Sequence, residues 1–148
     1  MTRSKSLFII MVLLFISSTI YSQSDSLNIV MNLILKADQG SPLNYKEMTI
    51  IMKSFNKDWG NNVELMECRM NAINSILFSS HNLSLLLKFM DNNRNYNKYI
   101  LDEIMPSCEI GDSVYFYLNQ QNGYNEVKIK ILDALSKGVE EFNRVNSK

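Results

Sequence analysis

The chain has 148 residues, of which 15 are basic, 15 are acidic and 46% are hydrophobic. With one histidine and two cysteines it cannot supply the ligands of most zinc, haem or iron–sulfur sites, and a formal net charge of zero argues against nucleic-acid binding through phosphate contacts. Five glycines and two prolines leave little room for a glycine-rich phosphate loop or a long linker, and the length fits one domain.

The first segment of the chain, residues 1–22, has the pattern of a secretory signal peptide. Arg3 and Lys5 form a positive start, a run of ten apolar residues follows, and Ser22 is a small residue at the expected cleavage position. The apolar run is shorter than the roughly 20 residues that span a bilayer. We therefore expect an exported protein, periplasmic or extracellular, with a single α-helical domain over residues 23–148. Cleavage removes two cations and leaves 13 basic against 15 acidic residues, a net charge of −2.

Apolar residues spaced three and four apart predict helices along the rest of the chain. Capping residues and clusters of Gly, Pro or Asn mark where these helices end. The segment 113–118 is β-prone in composition, but no other segment offers it a partner strand. The sequence therefore predicts an all-α fold of about five to seven helices, a small bundle or a short helical array. We expect these helices near residues 27–35, 44–56, 63–77, 83–90, 96–105, 112–120 and 125–143.

A repetition runs through residues 66–142. The segment 70–77 aligns with 98–105, which begins 28 residues later, and also with 129–136. Each unit would consist of a helix, a turn, a second short helix and a loop rich in Asn and Gln. This arrangement resembles short HEAT-like helical-hairpin repeats, although it carries no specific family motif. The resemblance implies that neighbouring units stack around a continuous core. An irregular helical bundle is the alternative.

The two cysteines of an exported protein predict one disulfide, between Cys68 and Cys108. Cys68 lies near the start of the third predicted helix, and Cys108 follows the end of the helix predicted near 96–105. If these two helices run parallel, as in stacked repeats, the cysteines are about 15 Å apart. A disulfide needs α-carbons within about 7 Å. The disulfide would therefore favour a closed bundle, and two reduced thiols would favour the repeat.

Candidate catalytic residues are few, so we predict no enzymatic activity, no cofactor and no metal site. His81 stands in a Ser-Ser-His-Asn segment without the signature of a known nucleophile, and we interpret it as a turn or cap residue. An enzyme site built from Glu64, Glu67 and His81 is the competing hypothesis. The seven methionines that remain after removal of residues 1–22 lie on apolar stripes and are interpreted as core residues, although thioethers also bind Cu(I).

The aromatic residues suggest a binding surface. Three aromatic residues in succession on one helix cannot all face inward, so at least one ring is expected to be exposed or at an edge. Exposed aromatic side chains often mark a binding surface, while packing against another helix or a dimer partner is the ordinary alternative. The candidate surface consists of Tyr115, Phe116, Tyr117 and Tyr124.

These observations predict an exported, non-enzymatic α-helical protein that acts by binding another protein. We expect no nucleic-acid partner and no membrane span in the mature form. A periplasmic immunity or inhibitor protein against a secreted toxin, or an envelope adaptor, is the most specific version, by analogy of size and export alone. The alternative is a carrier of a small ligand or of copper, which would use a cavity lined by methionine and aromatic residues.

Overall fold

The computed structural model of the protein shows an all-α fold, as the sequence predicts. It describes residues 27–55, 63–108 and 112–147, and no strand occurs in these ranges. The predicted signal peptide, residues 1–22, lies outside the described residues and stays a prediction.

The chain divides into two compact units, Met1–Asn32 and Leu33–Lys148. Helix α1 covers residues 27–38, and all later helices belong to the larger unit. These are α2 (Tyr45–Phe55), α3 (Val63–Leu77), α4 (Ser80–Asn92), α5 (Arg94–Tyr99), α6 (Asp112–Gln120) and α7 (Asn125–Asn146), with a π-helical turn at Ile100–Ile104 and a 3-10 turn at Met105–Ser107 between α5 and α6.

Local hydrogen bonds explain where α2 and α4 begin. Asn44 and Glu47 cap α2 reciprocally: the Glu47 N–H donates to Asn44 Oδ1 at 3.0 Å, and the Asn44 N–H donates to Glu47 Oε2 at 2.8 Å. Ser79 is the N-cap of α4, because its hydroxyl accepts from the Asn82 N–H at 3.3 Å. Helix α4 therefore begins three residues earlier than predicted, with His81 in its first turn.

The single helix predicted near 96–105 is instead three pieces. Helix α5 ends at Tyr99, and the chain then widens into a π-helical turn in which the Met105 N–H donates to the Ile100 carbonyl. Ile100 and Met105, five residues apart, are thereby both fully buried. Pro106 cannot donate a backbone hydrogen bond, which is consistent with the tightening of the chain into the 3-10 turn.

Helix α4 is the centre of the larger unit, because it contacts α2, α3, α5, α6 and α7. Helix α7 packs mainly against the 3-10 turn and the π-helical turn. This arrangement leaves one face of α6 and the last two turns of α7 outside the core. The inward side chains of α4 are fully buried: Leu83, Leu86, Leu87, Phe89 and Met90.

Candidate functional site

The predicted aromatic surface lies on α6. Val114 and Leu118, four residues apart, face the core and are buried, which explains why this β-prone segment is helical. Between them, Tyr115 is 38% exposed and Phe116 is 57% exposed, whereas Tyr117 is half-buried. The rings of Phe116 and Tyr117 contact each other edge to face, with centroids 5.7 Å apart. Two of the three consecutive aromatic side chains therefore face solvent.

The fourth predicted surface residue, Tyr124, stands immediately before α7. It is half-buried and adopts a left-handed backbone conformation with φ of 55°, which is uncommon for a bulky residue. Two hydrogen bonds hold the loop that precedes Tyr124. Gln121 donates its amide to the Ser80 carbonyl at 3.2 Å, and Lys128 Nζ donates to the Gln121 carbonyl at 2.8 Å. The corner between α6 and α7 is thus tied to the start of α4.

A second exposed apolar surface, which the sequence reasoning missed, lies on the α7 end (residues 139–146). Phe142 is 69% exposed and Val145 is 63% exposed, on the helix face that holds Ile131 and Leu135 in the core about two to four turns earlier. The signal was present in the sequence, because these four residues are separated by four, seven and three positions, which places them on one continuous apolar stripe. Helix α7 therefore extends its buried face beyond the body of the domain.

Helix α7 separates from the body near Gly138. A Cβ atom at this position would lie 1.9 Å from the Pro106 carbonyl oxygen, so only glycine allows the helix to pass the 3-10 turn this closely. Beyond this crossing every residue from 139 to 147 is exposed. On its polar side α7 carries its own ion pairs, Lys137–Asp133 and Arg144–Glu141, each at 3.2 Å. These charges balance within the helix itself.

His81 and Asn82 hold the loop between α1 and α2. His81 Nε2 lies 2.8 Å from the Leu43 carbonyl oxygen, a hydrogen bond in which the ring donates. Asn82 is fully buried: its Oδ1 accepts from the Leu43 N–H at 2.9 Å, and its Nδ2 donates to the Ser41 carbonyl at 3.0 Å. These bonds account for the position of His81. Of the two acids in the competing enzyme hypothesis, Glu67 is exposed and the side chain of Glu64 lies outside the described part of the structure.

The methionines that could have bound copper belong largely to the core. Met48 and Met52, which share one face of α2, are both fully buried, as are Met90 and Met105. Within residues 27–55, 63–108 and 112–147, no group of three His, Cys, Asp or Glu side chains could hold a metal ion.

The predicted disulfide is not present in the structure. Cys68 on α3 is half-buried and Cys108 after the 3-10 turn is buried, and both are reduced. Burial raises the pKa of the Cys108 thiol to about 12, so the thiolate that disulfide exchange requires does not form at neutral pH. The disulfide was expected only because an exported protein meets an oxidising compartment, whereas the burial of Cys108 stabilises its neutral thiol.

Arg69 is a buried charged residue that the sequence reasoning also missed. Only 5% of its surface is exposed, because it lies on the same face of α3 as the buried apolar residues of that helix. Its Nη2 donates to the Ser54 carbonyl at 3.1 Å, and its guanidinium carbon lies 5.5 Å from the centre of the Phe55 ring. Single-sequence patterns give no reason to bury an arginine, so this residue could be found only from the structure.

Comparison with protein-family models, with curated proteins and with solved structures found no match to this chain. Among the helices of the described residues, none combines the length and the apolar character needed to cross a bilayer.

Proposed function

We propose that the chain is an exported protein that acts by binding another protein, through the α7 end and the exposed aromatic face of α6. A periplasmic immunity or inhibitor protein, or an envelope adaptor, is the form of this proposal that its size and expected export favour. The support comes from two surfaces on which apolar side chains face solvent although neighbouring residues of the same helices are in the core.

The observation that carries the proposal is the exposure of Phe142. A phenylalanine side chain buries roughly 200 Å² in a core, so a side chain that is 69% exposed leaves about 140 Å² of apolar surface in water. Burying that area in a partner would contribute about 3.5 kcal/mol at roughly 25 cal/mol per Å². Val139 and Val145 lie on the same face, 43% and 63% exposed. An apolar stripe of this spacing is the form in which a helix docks into a hydrophobic groove.

The surface of α6 adds a different kind of contact. From Tyr115 to Asn125 the chain contains only aromatic, amide, glycine and leucine side chains and no charge. Tyrosine and asparagine side chains combine apolar contact area with hydrogen bonding at low cost in conformational entropy, as in the binding loops of antibodies. This composition favours a weakly charged protein surface as the partner over a strongly charged macromolecule.

A photo-crosslinking experiment tests the proposal. We would place a photoreactive phenylalanine analogue at position 142 and, as a control, at position 133 on the polar side of α7, where Asp133 is exposed. We expect one adduct of defined mass from position 142 in cells that export the protein, and none from position 133. The same set of adduct masses from both positions, or no adduct from either position, would contradict the proposal.

Export is tested separately, by the mass of the protein recovered from the envelope and the medium. The proposal predicts a chain that begins at Gln23, after removal of residues 1–22. Recovery of the full chain from the cytosol alone would contradict it, whatever the outcome of the crosslinking.

A further inference from the structure

No acidic side chain among the described residues balances the buried guanidinium of Arg69. Of the charged side chains that the structure describes, Arg69 is the one that is buried, and none of the described carboxylates forms an ion pair with it. Glu67, two residues earlier on α3, is exposed and points to another side of the helix. Arginine stays protonated at neutral pH even when burial lowers its pKa, so a full positive charge is held inside the protein.

The end of α2 satisfies part of this group. Ser54 and Phe55 are the last residues of α2, so the guanidinium lies at the negative end of the helix dipole and bonds one of its terminal carbonyls. That end carries only about half of an elementary charge. The Nε–H is also buried and has no hydrogen-bond acceptor in the part of the chain that the structure describes. A buried donor without an acceptor is costly, and the cost is greater for a charged group.

We propose that Arg69 is the anchor of a binding site for a small oxyanion, the carboxylate or phosphate group of a ligand, which accepts a hydrogen bond from Nε–H. An oxyanion supplies what this position lacks, a full negative charge and an acceptor in the plane of the guanidinium. The Phe55 ring covers one face of the guanidinium, so the ligand approaches along the edge.

The site takes only a small group. Nε has almost no contact with solvent, so an anion reaches it with a local displacement of the arginine side chain or its neighbours. Inorganic phosphate and acetate are therefore suitable probes, and they separate the two oxyanion classes. Arg69 contacts residues of α2 and lies on α3, whereas the exposed apolar surfaces lie on α6 and α7. The oxyanion site is therefore independent of the proposed protein partner.

The test is a titration of the full chain with sodium phosphate or sodium acetate at constant ionic strength in sodium chloride. The Arg69 Nε–H resonance is followed by nuclear magnetic resonance, in which a buried Nε–H exchanges slowly enough to be seen. We expect a saturable shift of this resonance with at least one of the two anions. Binding to the variants is followed through the backbone amide resonances of Ser54 and Phe55, which lie against residue 69, and it should be at least about tenfold weaker in Arg69→Gln. Arg94→Gln, at an exposed arginine that is paired with Glu126 at 3.6 Å, is the matched control and should bind as the unmodified protein does.

Each outcome decides the proposal. Saturation with phosphate alone or acetate alone supports it and gives the ligand class, and saturation with both assigns a general oxyanion site. An unshifted Nε–H resonance in the unmodified protein, or equal binding in Arg69→Gln and Arg94→Gln, would overturn it. If Arg69→Gln does not fold, the resonance of the unmodified protein still decides, since that measurement needs no substitution.

Discussion

Gly138 of α7 lies so close to Pro106 that a Cβ atom on the glycine would stand 1.9 Å from the proline carbonyl oxygen. Alanine in the middle of a helix is normally about 1 kcal/mol more favourable than glycine. Here the added methyl group meets backbone, which cannot move aside as the end of a flexible side chain can. We therefore expect Gly138→Ala to lower the free energy of unfolding by about 2 kcal/mol or more, as overpacked positions do.

Urea denaturation followed by circular dichroism measures this effect. Ser136→Ala is the matched control, because Ser136 is exposed on the same helix and its hydroxyl bonds the Leu132 carbonyl of that helix, at 2.8 Å. The control should remain within about 0.5 kcal/mol of the unmodified protein. A Gly138→Ala protein as stable as the control would show that α7 does not cross the 3-10 turn at this distance.

Asn82 is predicted to be important for stability through the loop that it holds. Its amide bonds both the Leu43 N–H and the Ser41 carbonyl, and it is fully buried. Asn82→Ala leaves these two backbone groups without their partner, so we expect a loss of about 2–4 kcal/mol in the free energy of unfolding. Asn119→Ala, at an exposed position of α6, should change stability little. Equal stability of the two variants would be inconsistent with the described loop contacts.

The Lys36–Glu47 pair predicts part of the acid dependence of stability. Lys36 Nζ lies 2.8 Å from Glu47 Oε1, and this hydrogen bond, together with the Asn44 N–H, lowers the pKa of Glu47 below its ordinary value of 4.5. A carboxyl group whose pKa is lower in the folded state stabilises the fold above its unfolded pKa. This contribution is lost as the pH falls through the folded pKa.

We therefore expect Glu47→Gln to be less stable than the unmodified protein at neutral pH, with a difference that shrinks as the pH falls below 4.5. Thermal unfolding across this pH range is the measurement. Glu140→Gln, at an exposed position of α7, is the control and should follow the unmodified protein at every pH. A Glu47→Gln difference that is independent of pH would indicate that the pair does not form.

The two cysteines should differ in reactivity. Cys68 is half-buried, whereas Cys108 is buried and its pKa is raised to about 12, so a maleimide should modify Cys68 first in the folded protein. In denaturant without reductant both should react. Mass spectrometry distinguishes the products, with Cys68→Ser and Cys108→Ser as references. A protein in which neither cysteine reacts until a reductant is added would contain the disulfide that the structure lacks.

Most positions of the helices could be predicted from the sequence because their causes are local. Spacing places Val114 and Leu118 on one face of α6, and the Asn44–Glu47 capping box is visible as two polar residues three apart. The resemblance of residues 66–142 to HEAT-like repeats stays a prediction, because no matching family model, curated protein or solved structure was found that could test it.

Features that depend on which helices meet could not be predicted. The burial of Arg69 follows from the end of α2 lying against α3. The π-helical turn brings Ile100 and Met105, five residues apart, into the core together. Gly138 gave a partial signal, since a glycine inside a helix often marks a close approach, but its partner Pro106 became evident only from the fold.

The most direct test of the proposed function is the affinity of the crosslinked partner, once purified, for two variants of α7. Phe142→Ser removes the most exposed apolar side chain of the α7 end, and Ile129→Ser removes one of similar exposure, 66% against 69%, from a position roughly 140° around the helix. We predict that Phe142→Ser weakens binding at least about tenfold and that Ile129→Ser leaves it unchanged. Equal affinity of both variants and the unmodified protein, measured by isothermal titration calorimetry, would contradict the account.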